Sequence, residues 1–153
     1  MVNYRSILAI ILALVTALML SVSSVEAAKV KKPLTYTSDQ LEQLREYAGD
    51  LQKMRDRMPE LGTLINQKDW IFARNFIHGP LGELRIEMMN VARTLLPEAQ
   101  PGARKLAKDV FDDLVAIDTA AQIRNFSVAT KKYNEVLKGF DEFLGLIPAT
   151  ARS

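Results

Sequence analysis

His78 is the only imidazole in 153 residues, and no cysteine accompanies it. A carboxylate-bridged pair of metals inside a helical bundle needs paired Glu-x-x-His motifs. Asn75 stands where the glutamate of such a motif would be. One histidine beside carboxylates could hold zinc only weakly, at a surface or between molecules, because several ligands are required. The residues are better explained by a helix-surface histidine beside a bend. The missing cysteines exclude disulfides, thiolate metal sites, cysteine nucleophiles and haem attachment through Cys-x-x-Cys-His. Two carboxylate pairs remain, Asp112-Asp113 and Asp141-Glu142. Neighbours on a helix point roughly 100° apart, so neither pair converges on one substrate, and both read as solvated faces. No Gly-x-Ser-x-Gly elbow, phosphate loop or dinucleotide fingerprint occurs. No catalytic, cofactor-binding or metal-binding residue is assigned, and no small-molecule substrate is implied.

Recognition of a partner is the chemistry left. Trp70, Phe72 and Phe76 lie close together in sequence, and aromatic residues are enriched at interface hot spots. Core packing explains Trp70 equally well, whereas Phe72 and Phe76 fall further from the inward stripe. Met54, Met58, Met88 and Met89 suggest a ligand groove only faintly, since methionine is a common core filler. Arg85, Arg93, Arg104, Lys105, Lys108, Lys131 and Lys132 are interspersed with acids, as on a mixed solvated surface. The other reading is a cationic strip for an acidic partner, weakened by salt. The candidate docking surface is Phe72, Phe76, His78, Pro80, Glu83 and Arg85, centred on the shape that Pro80 imposes. Nucleic acid is not indicated, because the net charge is only +2 and aromatics are 7%.

The elements that must present these residues are helices. Arg5, the apolar run Ile7 to Leu20 broken only by Thr16, and Val25-Glu26-Ala27-Ala28 have the layout of a secretory signal. Cleavage is expected after Ala27. The run is shorter than the roughly 20 residues of a membrane span. Residues 28–36, with Lys29, Lys31, Lys32 and Pro33, read as a mobile solvated arm. Residues 37–148 form the folded part, and residues 149–153 a C-terminal tail.

Thr37 and Gln40 have the spacing of a capping box, with Tyr36 and Leu41 placed as a hydrophobic staple. Leu41, Leu44, Ala48, Leu51, Met54, Met58, Leu61 and Ile65 then step by threes and fours, as on one helix face. Pro59 within that run implies a kink, or a break followed by a collinear turn. A second segment opens at Asp69 and carries Trp70, Ala73, Ile77, Leu81, Leu84, Met88, Val91 and Leu95 inward. Gly79-Pro80 interrupt it, and the surviving phase predicts one bent helix rather than two. Leu106, Val110, Leu114, Ile117 and Ala121 mark a third segment. Tyr133, Val136, Leu137, Phe140, Phe143, Leu144 and Ile147 mark a fourth. Four amphipathic helices with short loops bury their stripes only against one another, so the expected fold is an all-α, up-down-up-down four-helix bundle.

The segments Asp69-Trp70-Ile71, Ile77-His78-Gly79-Pro80-Leu81-Gly82-Glu83-Leu84-Arg85 and Leu95-Leu96-Pro97 resemble the cyanobacterial form of the PsbQ family. Leu106 to Phe111, Asp118 to Ala121 and Phe140 to Leu144 fit as well. The resemblance runs from about Tyr36 to Pro148, and His-Gly-Pro-Leu-Gly is its most specific part. It implies a four-helix extrinsic subunit on the lumenal side of photosystem II, in the thylakoid lumen. Such a subunit performs no reaction. It contacts the lumenal core and other extrinsic subunits, stabilises the oxygen-evolving manganese centre, and helps retain calcium and chloride. Cyanobacterial members commonly carry a lipidated cysteine directly after the signal core. Here that stretch is Leu20-Ser21-Val22-Ser23-Ser24, so lipid attachment at that site is chemically impossible. The alternative from another class is an exported helical-bundle carrier of a ligand or metal.

Overall fold

In a computed structural model, residues 34–152 are described. The expected signal segment, its cleavage site and the lysines of the arm lie outside them. Helix α1 (Ser38–Asn66) starts where the capping box predicts. Gln40 N–H donates to Thr37 Oγ1 at 3.2 Å, and Thr37 N–H donates to Gln40 Oε1 at 3.0 Å. Tyr36 and Leu41 both pack against the core. Pro59 sits on the exposed side of α1, which runs through it without a break.

The second segment is two helices, not one bent helix: α2 (Trp70–His78) and α3 (Leu84–Thr94). Asp69 caps α2 through the Phe72 N–H. The last regular bond of α2 is Gly79 N–H to the Asn75 carbonyl, 2.8 Å. Pro80 has no N–H for the Phe76 carbonyl. Leu81 N–H takes that acceptor one residue late, at 3.3 Å, and Gly82 N–H turns back to the Gly79 carbonyl at 2.9 Å. Leu81 and Leu84 are both buried, which holds the turn down on the core. The inward phase therefore survives although the helix does not.

The turn is tight enough to exclude a side chain at Gly82. A Cβ there would lie 2.9 Å from the His78 carbonyl oxygen and 3.1 Å from that of Gly79. Both are main-chain atoms that move only by opening the turn. Gly82→Ala is expected to cost about 2 kcal/mol, as overpacking does, measured by urea denaturation. A neutral result would mean the turn is looser than this.

Helix α4 (Gln100–Gln122) and α5 (Phe126–Gly145) complete the bundle. Asn125 caps α5 through the Val128 N–H at 3.1 Å. The rods α1, α2/α3, α4 and α5 form a ring in which each packs on the rod before and after it, and α5 closes on α1. This is the up-down-up-down bundle. Leu51, Met58 and Leu61 of α1, Met88 and Val91 of α3, Ile117 of α4, and Phe140 and Phe143 of α5 are fully enclosed. Residues read as a tail instead fold back: Ala149–Ala151 form a 3-10 turn against α1, Ala151 is buried, and Arg45 donates to the Thr150 carbonyl at 3.1 Å.

The paired carboxylates are not simply solvated. Asp141 of α5 receives a two-pronged bond from Arg55 of α1 at 2.7 and 2.9 Å. Asp113 of α4 accepts from Lys132 of α5 at 2.8 Å. That bond, joined by one to Glu135, holds the Lys132 ammonium well above its ordinary range. Adjacent residues diverge, so one of each pair reaches a neighbouring helix while Asp112 and Glu142 pair along their own helices.

Candidate functional site

Arg74 and His78 are four residues apart on α2, and Asp118 and Gln122 are four apart on α4, so each pair forms a ridge. The ridges meet. Arg74 Nε donates to Asp118 Oδ1 at 3.0 Å, and His78 Nε2 lies 2.9 Å from the same oxygen. Gln122 Nε2 donates to Oδ2 at 3.0 Å. The Asp118 side chain is only 15% exposed. Burial by itself would raise its pKa, but the bonds from Arg74, His78 and Gln122 outweigh it and hold the carboxyl below its ordinary value.

This sets a pH dependence. A carboxyl whose folded pKa is depressed adds stability that is fully present above the unfolded value, about 3.9. It is lost as pH falls through the lower folded value. Asp118→Asn is expected to cost about 1 kcal/mol at neutral pH, a modest figure because Arg74 and His78 are partly exposed and solvent screens them. The difference from the native chain should shrink as pH is lowered from about 5 to 3. Denaturant titrations across that range measure it, and a gap that widens on acidification would contradict the arrangement.

The six candidate docking residues do not share one face. Phe76 is corrected: it is 6% exposed, with the Arg57 guanidinium of α1 5.2 Å from its ring centre. The inward stripe of α2 is wide enough to take Phe76 beside Ala73, because α1 lies over that edge. Phe72 is 60% exposed. Pro80 and Glu83 border a shallow cleft on the α1 side with Lys53 and Arg57. Arg85 lies on the α4 side, its guanidinium 4.8 Å from the Phe111 ring centre. His78 points to Asp118. What the spacing missed is Asp118 and Arg74; their i,i+4 partners were visible, but nothing local pairs one helix with the other.

Among the described residues no cluster of three or more histidines and carboxylates is placed to hold a metal ion. Nor is any described helix long and apolar enough to cross a membrane. The most specific stretch, His78 to Gly82, forms the one interruption within a rod of the bundle. A family model for PsbQ, oxygen evolving enhancer protein 3, matches residues 3–148. The chain belongs to the PsbQ family. Within this family it is similar to CyanoQ of Synechocystis sp., with 42% identity over 149 residues that cover 97% of this chain and 98% of that protein. The PsbQ match takes in all five α-helices of the described residues.

Proposed function

We propose that this chain is a non-catalytic extrinsic subunit of photosystem II. It docks on the lumenal face of the thylakoid membrane through protein contacts and stabilises the oxygen-evolving centre, helping to retain calcium and chloride. The observation that carries this reading is the near full-length similarity to the PsbQ oxygen-evolving enhancers. The mechanism is mass action: a subunit that binds only the assembled complex stabilises that state and slows ion loss. Residues 28–153, added to photosystem II stripped of extrinsic proteins, should bind saturably and restore oxygen evolution at limiting calcium and chloride. Absence of binding by the folded chain, with the other extrinsic subunits present, would sink the reading.

Docking is assigned to the α4 side of the α2–α3 junction, with His78 and Arg85 as contacts; Pro80 and Glu83 open toward α1 and fall outside it. Arg85→Glu is the probe. Its loss of the Phe111 contact should cost no more than about 1 kcal/mol of stability, because Arg85 is exposed. Docking at low salt should weaken several-fold. Unchanged low-salt docking would remove Arg85 from the interface.

A further inference from the structure

One end of the bundle carries a feature that the α2–α3 junction does not explain. There α1 passes to α2 and α4 passes to α5 through two corners of the same design. Lys68 and Arg124 are the only described non-glycine residues with positive φ, 58° and 57°. Lys68 N–H donates to the Ile65 carbonyl and Asp69 N–H to that of Leu64. Arg124 N–H donates to Ala121 and Asn125 N–H to Ala120 in the same pattern. This is the Schellman helix ending, whose left-handed position is ordinarily glycine. Both corners place a cation there despite the conformational cost.

Neither cation forms an ion pair with a described acid. Lys68 Nζ rests 5.5 Å from the Phe126 ring centre. The nearby acids are occupied: Asp69 caps α2, and Asp118 is engaged by Arg74, His78 and Gln122. Between the corners lies an open cleft of about 570 Å³, bordered by Lys68, Arg74 and Arg124, by Trp70 and Ile71, and by one acid, the capping Asp69. Bulky apolar side chains stand in solvent around it, with Ile71 72% and Ile123 70% exposed. Cations near helix C-termini favour the local dipole. That accounts for the charges, but not for their left-handed positions or for the exposed isoleucines beside them.

We propose that this end of the bundle receives an acidic segment of a protein partner. A carboxylate enters the cleft between Lys68 and Arg124, and neighbouring apolar side chains cover Ile71 and Ile123. Charge complementarity selects an acidic occupant, and the concave shape suits a protein segment better than a flat lipid surface. The inference rests on the docking reading above and names the chemistry of one contact.

The left-handed backbone supplies the test. Glycine suits both positions, so Lys68→Gly/Arg124→Gly removes two cations while leaving the melting temperature unchanged or raised. Arg93→Gln/Arg104→Gln on α3 and α4 removes two cations elsewhere. Binding is measured on detergent-solubilised photosystem II stripped of extrinsic subunits, at low and raised salt. The native chain and the Arg93/Arg104 variant should bind saturably. The Lys68/Arg124 variant should bind at least about tenfold more weakly with a flatter salt dependence, and Ile71→Asn should also weaken binding. Equal binding by the Lys68/Arg124 variant, or an equal loss in the Arg93/Arg104 control, overturns the inference and leaves the docking role standing. No binding by the native chain overturns both. Lys68/Arg124-dependent binding to phosphatidylglycerol vesicles, without it on the solubilised complex, overturns it in favour of anionic lipid.

Discussion

Phe140→Ala is expected to destabilise the bundle by about 4 kcal/mol, within the usual range for emptying a core aromatic position. Phe140 is fully buried on α5. Its neighbour Gly139 lies so close to α4 that an added Cβ would stand 2.8 Å from Val110 Cγ2. The α4–α5 seam is thus already in close contact and has little room to collapse into the hole. Poor collapse is what puts such substitutions toward the upper end of their range. A single domain has only about 5–15 kcal/mol in total, so the variant should fold with a melting temperature lower by roughly 15 °C. Its docking affinity, corrected for the unfolded fraction, should be unchanged. A loss under about 1 kcal/mol would mean that the seam repacks, against the rigidity argued from Gly139.

Gly62→Val should cost about 3 kcal/mol, and Gly62→Ala about 1–2. Taken alone, Gly62 is a weak point in the middle of α1, since alanine is better in a helix by about 1 kcal/mol. The Tyr133 ring of α5 reverses the sign. A Cβ on Gly62 would lie 2.6 Å from the Tyr133 hydroxyl oxygen, 2.7 Å from Cζ and 3.0 Å from Cε1. The ring is not free to swing away, because its hydroxyl donates to the Met58 carbonyl at 3.1 Å. Valine adds two methyl groups to the clash and lacks most of alanine's helix preference. Combining Gly62→Ala with Tyr133→Leu should recover part of the loss. The recovered coupling, on the order of 1 kcal/mol in a double-mutant cycle, identifies the contact. If Gly62→Ala alone stabilises the protein, the α1–α5 contact is wrong.

The sites where these predictions fall show what could be read in advance. Helix faces were legible because burial repeats with the 3.6-residue turn. Leu44, Leu51, Met58 and Leu61 on α1, and Val136, Phe140 and Phe143 on α5, are inward as their spacing requires. The capping box at Thr37 and the Asp69 cap were legible because a cap involves only three or four neighbouring residues. The break after His78 was half legible. Pro80 had to free the Phe76 carbonyl, but whether the chain bends or breaks depended on Leu81 and Leu84 finding burial beneath the turn.

What the tertiary structure alone decided is every contact that depends on how one helix is rotated against another. Phe76 is enclosed because α1 lies over it. Asp118 gathers Arg74 and His78 from 44 and 40 positions away. Arg55 and Asp141 meet across 86. Gly62 is explained only by Tyr133, and the solvent-facing isoleucines gain meaning only when two separate corners arrive at one end of the bundle. Amphipathic periodicity specifies which face of each helix turns inward, because that follows from local geometry. It leaves open which neighbour each face meets and at what height, because the packing of long-range side chains sets both.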